Sequence, residues 1–142
     1  ISNILPPPAP IDLSIVKLLA DTGYVAYQSR IASLSLLSNT YLKFLPPTWR
    51  AEASDGTIKG TELKDWKRRV KMYLGPTVEA FGDSRIIFGS SPLGPELESR
   101  ISPGDWYTLA RESVAELGVE GEGIEAIFSG NARAAYGVTG RV

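Results

Sequence analysis

The chain has 142 residues, 43% of them hydrophobic and 22% charged, with a formal net charge of -1. That suits one domain with a real core and is too short for two typical ones. The charge balance gives no electrostatic footing for nucleic acid or an anionic membrane. The lack of any cysteine or histidine removes disulfides, thiolate and imidazole metal sites, the serine–histidine–acid triad and the cysteine–histidine dyad.

No stretch approaches the roughly 18 consecutive apolar residues of a membrane helix. No charged-then-apolar leader follows Ile1, so a cytoplasmic protein without a membrane span is expected.

Pro6-Pro7-Pro8-Ala9-Pro10 makes a stiff, polyproline-like lead-in. Asp12 can cap a helix carrying Leu13, Val16, Lys17 and Ala20, which should end near Thr22-Gly23. Tyr24-Val25-Ala26-Tyr27 reads as a short strand, and Ile31, Leu34 and Leu37 as a second helix closing at Ser38-Asn39. Thr40 to Leu45 is β-branched and aromatic, a strand stopped by Pro46-Pro47.

Residues 48–61 are polar and turn-rich, hence a loop. A helix is expected from Thr61 to Leu74, with Trp66, Val70, Tyr73 and Leu74 inward and Lys64, Lys67, Arg68 and Lys71 solvated. Gly75-Pro76 should break it, leaving a further turn from Val78 to Phe81. The Lys67-Arg68-Arg69-Lys71 run has no interleaved aromatics, so a solvated helix face is the better reading than a nucleic-acid surface.

Ile86-Ile87-Phe88 is an apolar strand flanked by Asp83 and Arg85, which suggest a local turn or ion pair. Pro92 to Pro103 is a long irregular connection. The next helix should be capped by Asp105 and stopped by Gly118, with Trp106, Leu109, Ala110, Val114 and Leu117 inward. A last helix through Ile124, Ile127 and Phe128 should break at Gly130-Asn131 and resume briefly to Tyr136-Gly137. The glycines from Gly118 to Gly130 follow no strand and precede no Lys-Ser/Thr, so they do not form a phosphate loop. Strands separated by helices predict a single α/β domain over 1–142 with a parallel sheet. Trp49, Trp66 and Trp106 read as core or lid anchors.

Chemistry concentrates after the Ile86–Phe88 run, which ends in Gly89, two hydroxyls and Pro92. Strand ends of this kind are where α/β proteins present reactive groups. Ser91 is the catalytic candidate, able to orient a water or substrate hydroxyl, with Ser90 beside it as a substrate contact. No base accompanies Ser91, and a turn-capping serine is the competing reading. Arg50 could clamp a substrate carboxylate with its planar guanidinium, and Lys43 could add a second cation unless it pairs structurally. No metal ligand set and no cofactor motif is visible.

Three blocks resemble the amidohydrolase superfamily. Arg85-Ile86-Ile87-Phe88-Gly89-Ser90-Ser91-Pro92 is similar to the family's last barrel-strand motif, in which an aspartate ligates metal or activates water; here that position is Ser91. Thr40-Tyr41-Leu42-Lys43-Phe44 is similar to an earlier family strand. Asp105 to Glu112 with Phe128 to Gly137 resembles the closing helices, where Asn131 would cap the last short helix and Tyr136 would pack under the barrel.

The blocks fall in the family's order over roughly residues 34–139, closest in flavour to the 2-pyrone-4,6-dicarboxylate lactonase group, whose members are taken to work without metal. The resemblance implies the C-terminal part of a (β/α)8 TIM barrel. A complete barrel takes about 200–250 residues, so a missing N-terminal half or a second chain would complete it. The implied activity is hydrolysis of a small cyclic ester, amide or related carbonyl compound. Any base, or any divalent metal with its ligands, would come from the missing part. The alternative is a catalytically inactive barrel kept as a binding or scaffolding protein.

Overall fold

Two short parallel strands lie at the centre of a mostly helical chain. The computed structural model describes residues 15–48, 60–92 and 99–137. In chain order these form α1 (Ile15–Ala20), α2 (Thr22–Ser35), β1 (Leu42–Phe44), α3 (Thr61–Phe81), a 3₁₀ turn (Asp83–Arg85), β2 (Ile86–Phe88), α4 (Pro103–Glu116) and α5 (Gly121–Glu125). A π-helical segment (Ala126–Gly130) and α6 (Asn131–Tyr136) follow. The expected proline lead-in, the Asp12 cap, Trp49 and Arg50 lie outside the described residues. Among the described residues no helix is long and apolar enough to cross a membrane.

The expected strand at Tyr24–Tyr27 is helical. The Asp21 carboxylate accepts the Tyr24 N–H at 3.1 Å, starting α2 just where α1 ends. Tyr24, Tyr27, Ile31 and Leu34 then recur at helical spacing and pack toward the core. Burial of that face outweighs the β preference of tyrosine, which is a weak prior.

The break expected at Gly75-Pro76 is also absent, because α3 continues to Phe81. Pro76 has no N–H, so the Met72 carbonyl one turn back loses its helix partner. The Tyr24 hydroxyl supplies one, donating to that carbonyl at 2.7 Å. The Tyr27 hydroxyl donates to the neighbouring Tyr73 carbonyl at 3.0 Å, which also receives the Thr77 hydroxyl at 3.0 Å. The tyrosines of α2 therefore carry the helix through its proline.

β1 and β2 pair in parallel with Leu42 opposite Ile86, Lys43 opposite Ile87 and Phe44 opposite Phe88. Leu42, Phe44 and Ile86 are fully buried among Trp66, Val70 and Leu74 of α3, Trp106, Ala110 and Val114 of α4, and Ile127. Trp66 and Trp106 are core residues, as their spacing predicts. Asn131 closes part of the outer edge of β2: its side-chain amide donates to the Asp83 carbonyl at 2.6 Å and to the Ile86 carbonyl at 2.8 Å. It sits in helical backbone, not at a cap, so the helix runs on past Gly130 through the π segment. Tyr136 is 60% exposed, not packed beneath a sheet.

Asp83–Arg85 forms the expected local turn. The Arg85 guanidinium donates to the carbonyls of Leu37 (3.0 Å) and Ser35 (3.1 Å) at the end of α2, and lies 4.5 Å over the Phe81 ring. The cap of α4 is Ser102, whose hydroxyl accepts the Asp105 N–H at 3.2 Å, because Pro103 is pre-set for the first helical position. Gly118, at φ 87°, ends α4 as predicted, with the Gly118 and Val119 amides folding back onto Ala115 and Val114. The basic run of α3 partly faces α4, where Lys67 meets Glu112 and Glu116, and Lys71 meets Glu116.

Candidate functional site

Both strands point their carboxyl ends at the same place, and the sequence there fixes how the chain turns away. After Phe44, Leu45, Pro46 and Pro47 are all buried. After Phe88, the Gly89 N–H still bonds the Phe44 carbonyl at 3.0 Å, so the ladder extends one residue beyond the strands. A side chain at Gly89 would run into Leu45 Cδ2, so the buried Leu45 side chain would have to shift. In that register the Gly89 carbonyl faces the position of Pro46, which has no N–H to give. The indole N–H of Trp106 donates to it instead, at 2.9 Å. Trp106, otherwise wholly buried, thus ties α4 to the strand end.

A depression of about 260 Å³ opens at this point. Pro46, Ile101 and Pro103 make its apolar walls, and Ser90, Ser91 and Ser99 bring hydroxyls to it, with Pro92 beside Ser91. Ser90 and Ser91 are exposed. Ser99 is anchored: its hydroxyl donates to the Pro47 carbonyl at 2.8 Å and accepts the Ile101 N–H at 3.4 Å. The next residue, Arg100, grips Glu62 at the start of α3 through two contacts, 2.8 and 3.5 Å. The third wall is therefore pinned to β1's exit by Ser99 and to α3 by Arg100.

The structure brings Ser90 and Ser91 together in this depression. It does not bring Lys43 there. Lys43 lies between the core-facing Leu42 and Phe44, so strand alternation sends its side chain to the other face of the sheet. Its ammonium group stands 5.9 Å from the centre of the Tyr136 ring. Arg50 lies outside the described residues.

Ser99, Trp106 and the Arg100–Glu62 clamp were missed as site-forming residues. One signal for Trp106 is present in the sequence: a proline directly after a strand pair leaves a carbonyl in need of a donor, and a core indole carries one.

Among the described residues no group of three or more Asp, Glu, Cys or His could hold a metal ion. The neutral hydroxyls of Ser90, Ser91 and Ser99 bring no negative charge to a divalent cation. What the depression can do is offer hydroxyl hydrogen bonds to a carbonyl or ring oxygen held against proline and isoleucine. At the opposite end of β2, a larger hollow of about 490 Å³ is lined by Val78, Leu117 and Val119 and by the carboxylates of Asp83, Glu120 and Glu122. No family model matches the sequence, and no curated protein or solved structure is significantly similar to it.

Proposed function

We propose that the chain is the C-terminal part of an amidohydrolase-related (β/α)8 barrel, lactonase-like in chemistry, that hydrolyses a small cyclic ester or related carbonyl compound. The observation that supports this most is the parallel β1–α3–β2 unit with Ser90 and Ser91 at its carboxyl end, the end at which barrel enzymes carry their sites. On this reading water attacks the carbonyl carbon and the ring C–O bond breaks. Ser91, with Ser90 beside it, donates a hydrogen bond to the carbonyl oxygen as negative charge gathers there. The base that takes the proton of water, and any metal with its ligands, belong to the rest of the barrel, supplied by a preceding half or a second chain. Arg50 is proposed only as an outlying substrate contact.

The second reading is a catalytically inactive barrel that binds or scaffolds. It is favoured by one observation: Ser90 and Ser91 have no carboxylate or amine partner among the described residues. Turnover separates the two. The hydrolase reading expects the purified full-length protein to open simple lactones with and without a chelator. It also expects Ser91→Ala to slow this about 100- to 1,000-fold, the usual scale for one transition-state hydrogen bond. No turnover of lactones or cyclic amides would leave the binding reading.

A further inference from the structure

We infer that Trp106 is a positioning residue for the strand-end site, its indole N–H locking the glycine joint that carries Ser90 and Ser91; this rests on the hydrolase reading above. A glycine directly before a reactive pair is the most permissive joint a chain can have. At Gly89 that joint is held from both sides. Its N–H donates to the Phe44 carbonyl at 3.0 Å, and its own carbonyl accepts the Trp106 indole N–H at 2.9 Å. A trans peptide is planar, so holding the Gly89 carbonyl also holds the Ser90 nitrogen that follows it.

The donor is itself aimed by the strands. The wholly buried Trp106 ring lies nearly parallel to Phe88, at 6.3 Å and 16°, and edge-on to Phe44, at 5.0 Å and 70°. Phe44 and Phe88 are the paired last residues of β1 and β2, so the indole turns only if the strand ends move with it. Its backbone belongs to the facing wall. The Trp106 N–H donates to the Ser102 carbonyl at 2.8 Å, in the first turn of α4 directly after Ile101. One residue thus refers both the serine pair and the wall of Ile101 and Pro103 to the same strand ends. Positioning of this kind acts on the rate more than on binding, since a shift of about 1 Å at a reacting group can cost on the order of 100-fold.

Replacing Trp106 in the full-length protein by 3-benzothienylalanine tests this, because the ring keeps its shape while sulfur takes the place of the N–H. Val114→Ala, a core truncation on the same helix, controls for a general loosening of α4. The readouts are backbone order parameters at Ser90 and Ser91, with kcat and KM for δ-valerolactone. In the isostere alone, the order parameters should fall from about 0.85 to below about 0.6, with kcat down about 10- to 100-fold and KM within about twofold. Unchanged order at the two serines, or the same loss in Val114→Ala, overturns the inference. So does a loosened pair that opens the lactone at the wild-type rate. If the wild type opens no lactone, the hydrolase reading fails, and the order parameters alone decide whether Trp106 positions the pair.

Discussion

The hydroxyl of Tyr24 donates to the carbonyl of Met72 at 2.7 Å, the carbonyl that Pro76 leaves without its helix partner. Both residues sit in the core region between α2 and α3, and Tyr24 is 4% exposed. Tyr24→Phe should therefore cost about 1–3 kcal/mol, the penalty for a buried acceptor left unpaired. In the Tyr24→Phe background, Pro76→Ala restores an amide and should recover part of the loss. Urea unfolding of the four proteins measures this as a coupling energy; simple additivity would show that the tyrosine does not serve the proline turn.

Asn131 makes a sharper case because one side-chain amide serves two carbonyls, those of Asp83 and Ile86. Asn131→Asp keeps the size but turns the donor into an acceptor, so it should destabilise more than Asn131→Ala, each by about 2 kcal/mol or more. Thermal melts at pH 7 give the order; an aspartate variant as stable as wild type would contradict the assignment.

Arg85 holds the end of α2 through the carbonyls of Ser35 and Leu37. Arg85→Ala should lower stability by about 1 kcal/mol and speed amide exchange in the last turn of α2. Arg85→Lys should recover little, since a point ammonium cannot fork between two carbonyls while stacking on Phe81. Residue-resolved hydrogen exchange reads both effects.

The exposed pairs between α3 and α4 predict a pH response of known sign. Hydrogen bonds from Lys67 and Lys71 hold the Glu116 carboxyl below its ordinary value of 4.5. Its contribution is thus present above that value and lost as pH falls through the lower folded one. Hydrogen bonds donated by Lys67 to Glu112 and Glu116 raise it above its ordinary 10.5, so that contribution is present below 10.5 and lost as pH rises through the higher folded value. Both effects are small and salt-screened. Glu116→Gln should flatten the acid limb of a stability–pH curve at low salt and change little in high salt.

The parallel pairing, the buried tryptophans and the Gly118 stop were legible because each rests on a local signal: β-branched runs, helical spacing and a positive-φ glycine. Tyr24–Tyr27 and Gly75-Pro76 were misread for one shared reason. The strand preference of one segment and the helix-breaking proline of the other are both overridden by the packing of α2 on α3, in which Tyr24 meets Met72, 48 positions apart in sequence. No local window contains it.

The same limit applied to the candidate site. Ser90 and Ser91 stand at a strand end that can be read from Ile86-Ile87-Phe88-Gly89. The wall made by Ser99 and Ile101 arrives from beyond a long connection, and the role of Trp106 exists only because the register aims the Gly89 carbonyl at Pro46. Lys43 was misplaced because its face of the sheet depends on which neighbours, Leu42 and Phe44, enter the core.

The proposal that a lactonase-like reaction runs at this strand end meets its most direct test in initial rates of δ-valerolactone opening by the full-length protein and its Ser91→Ala variant, at equal fold stability and in the presence of a chelator. The account predicts turnover by the wild type and a rate lower by about 100- to 1,000-fold in the variant. Equal rates in the two proteins, or none in either, would contradict it.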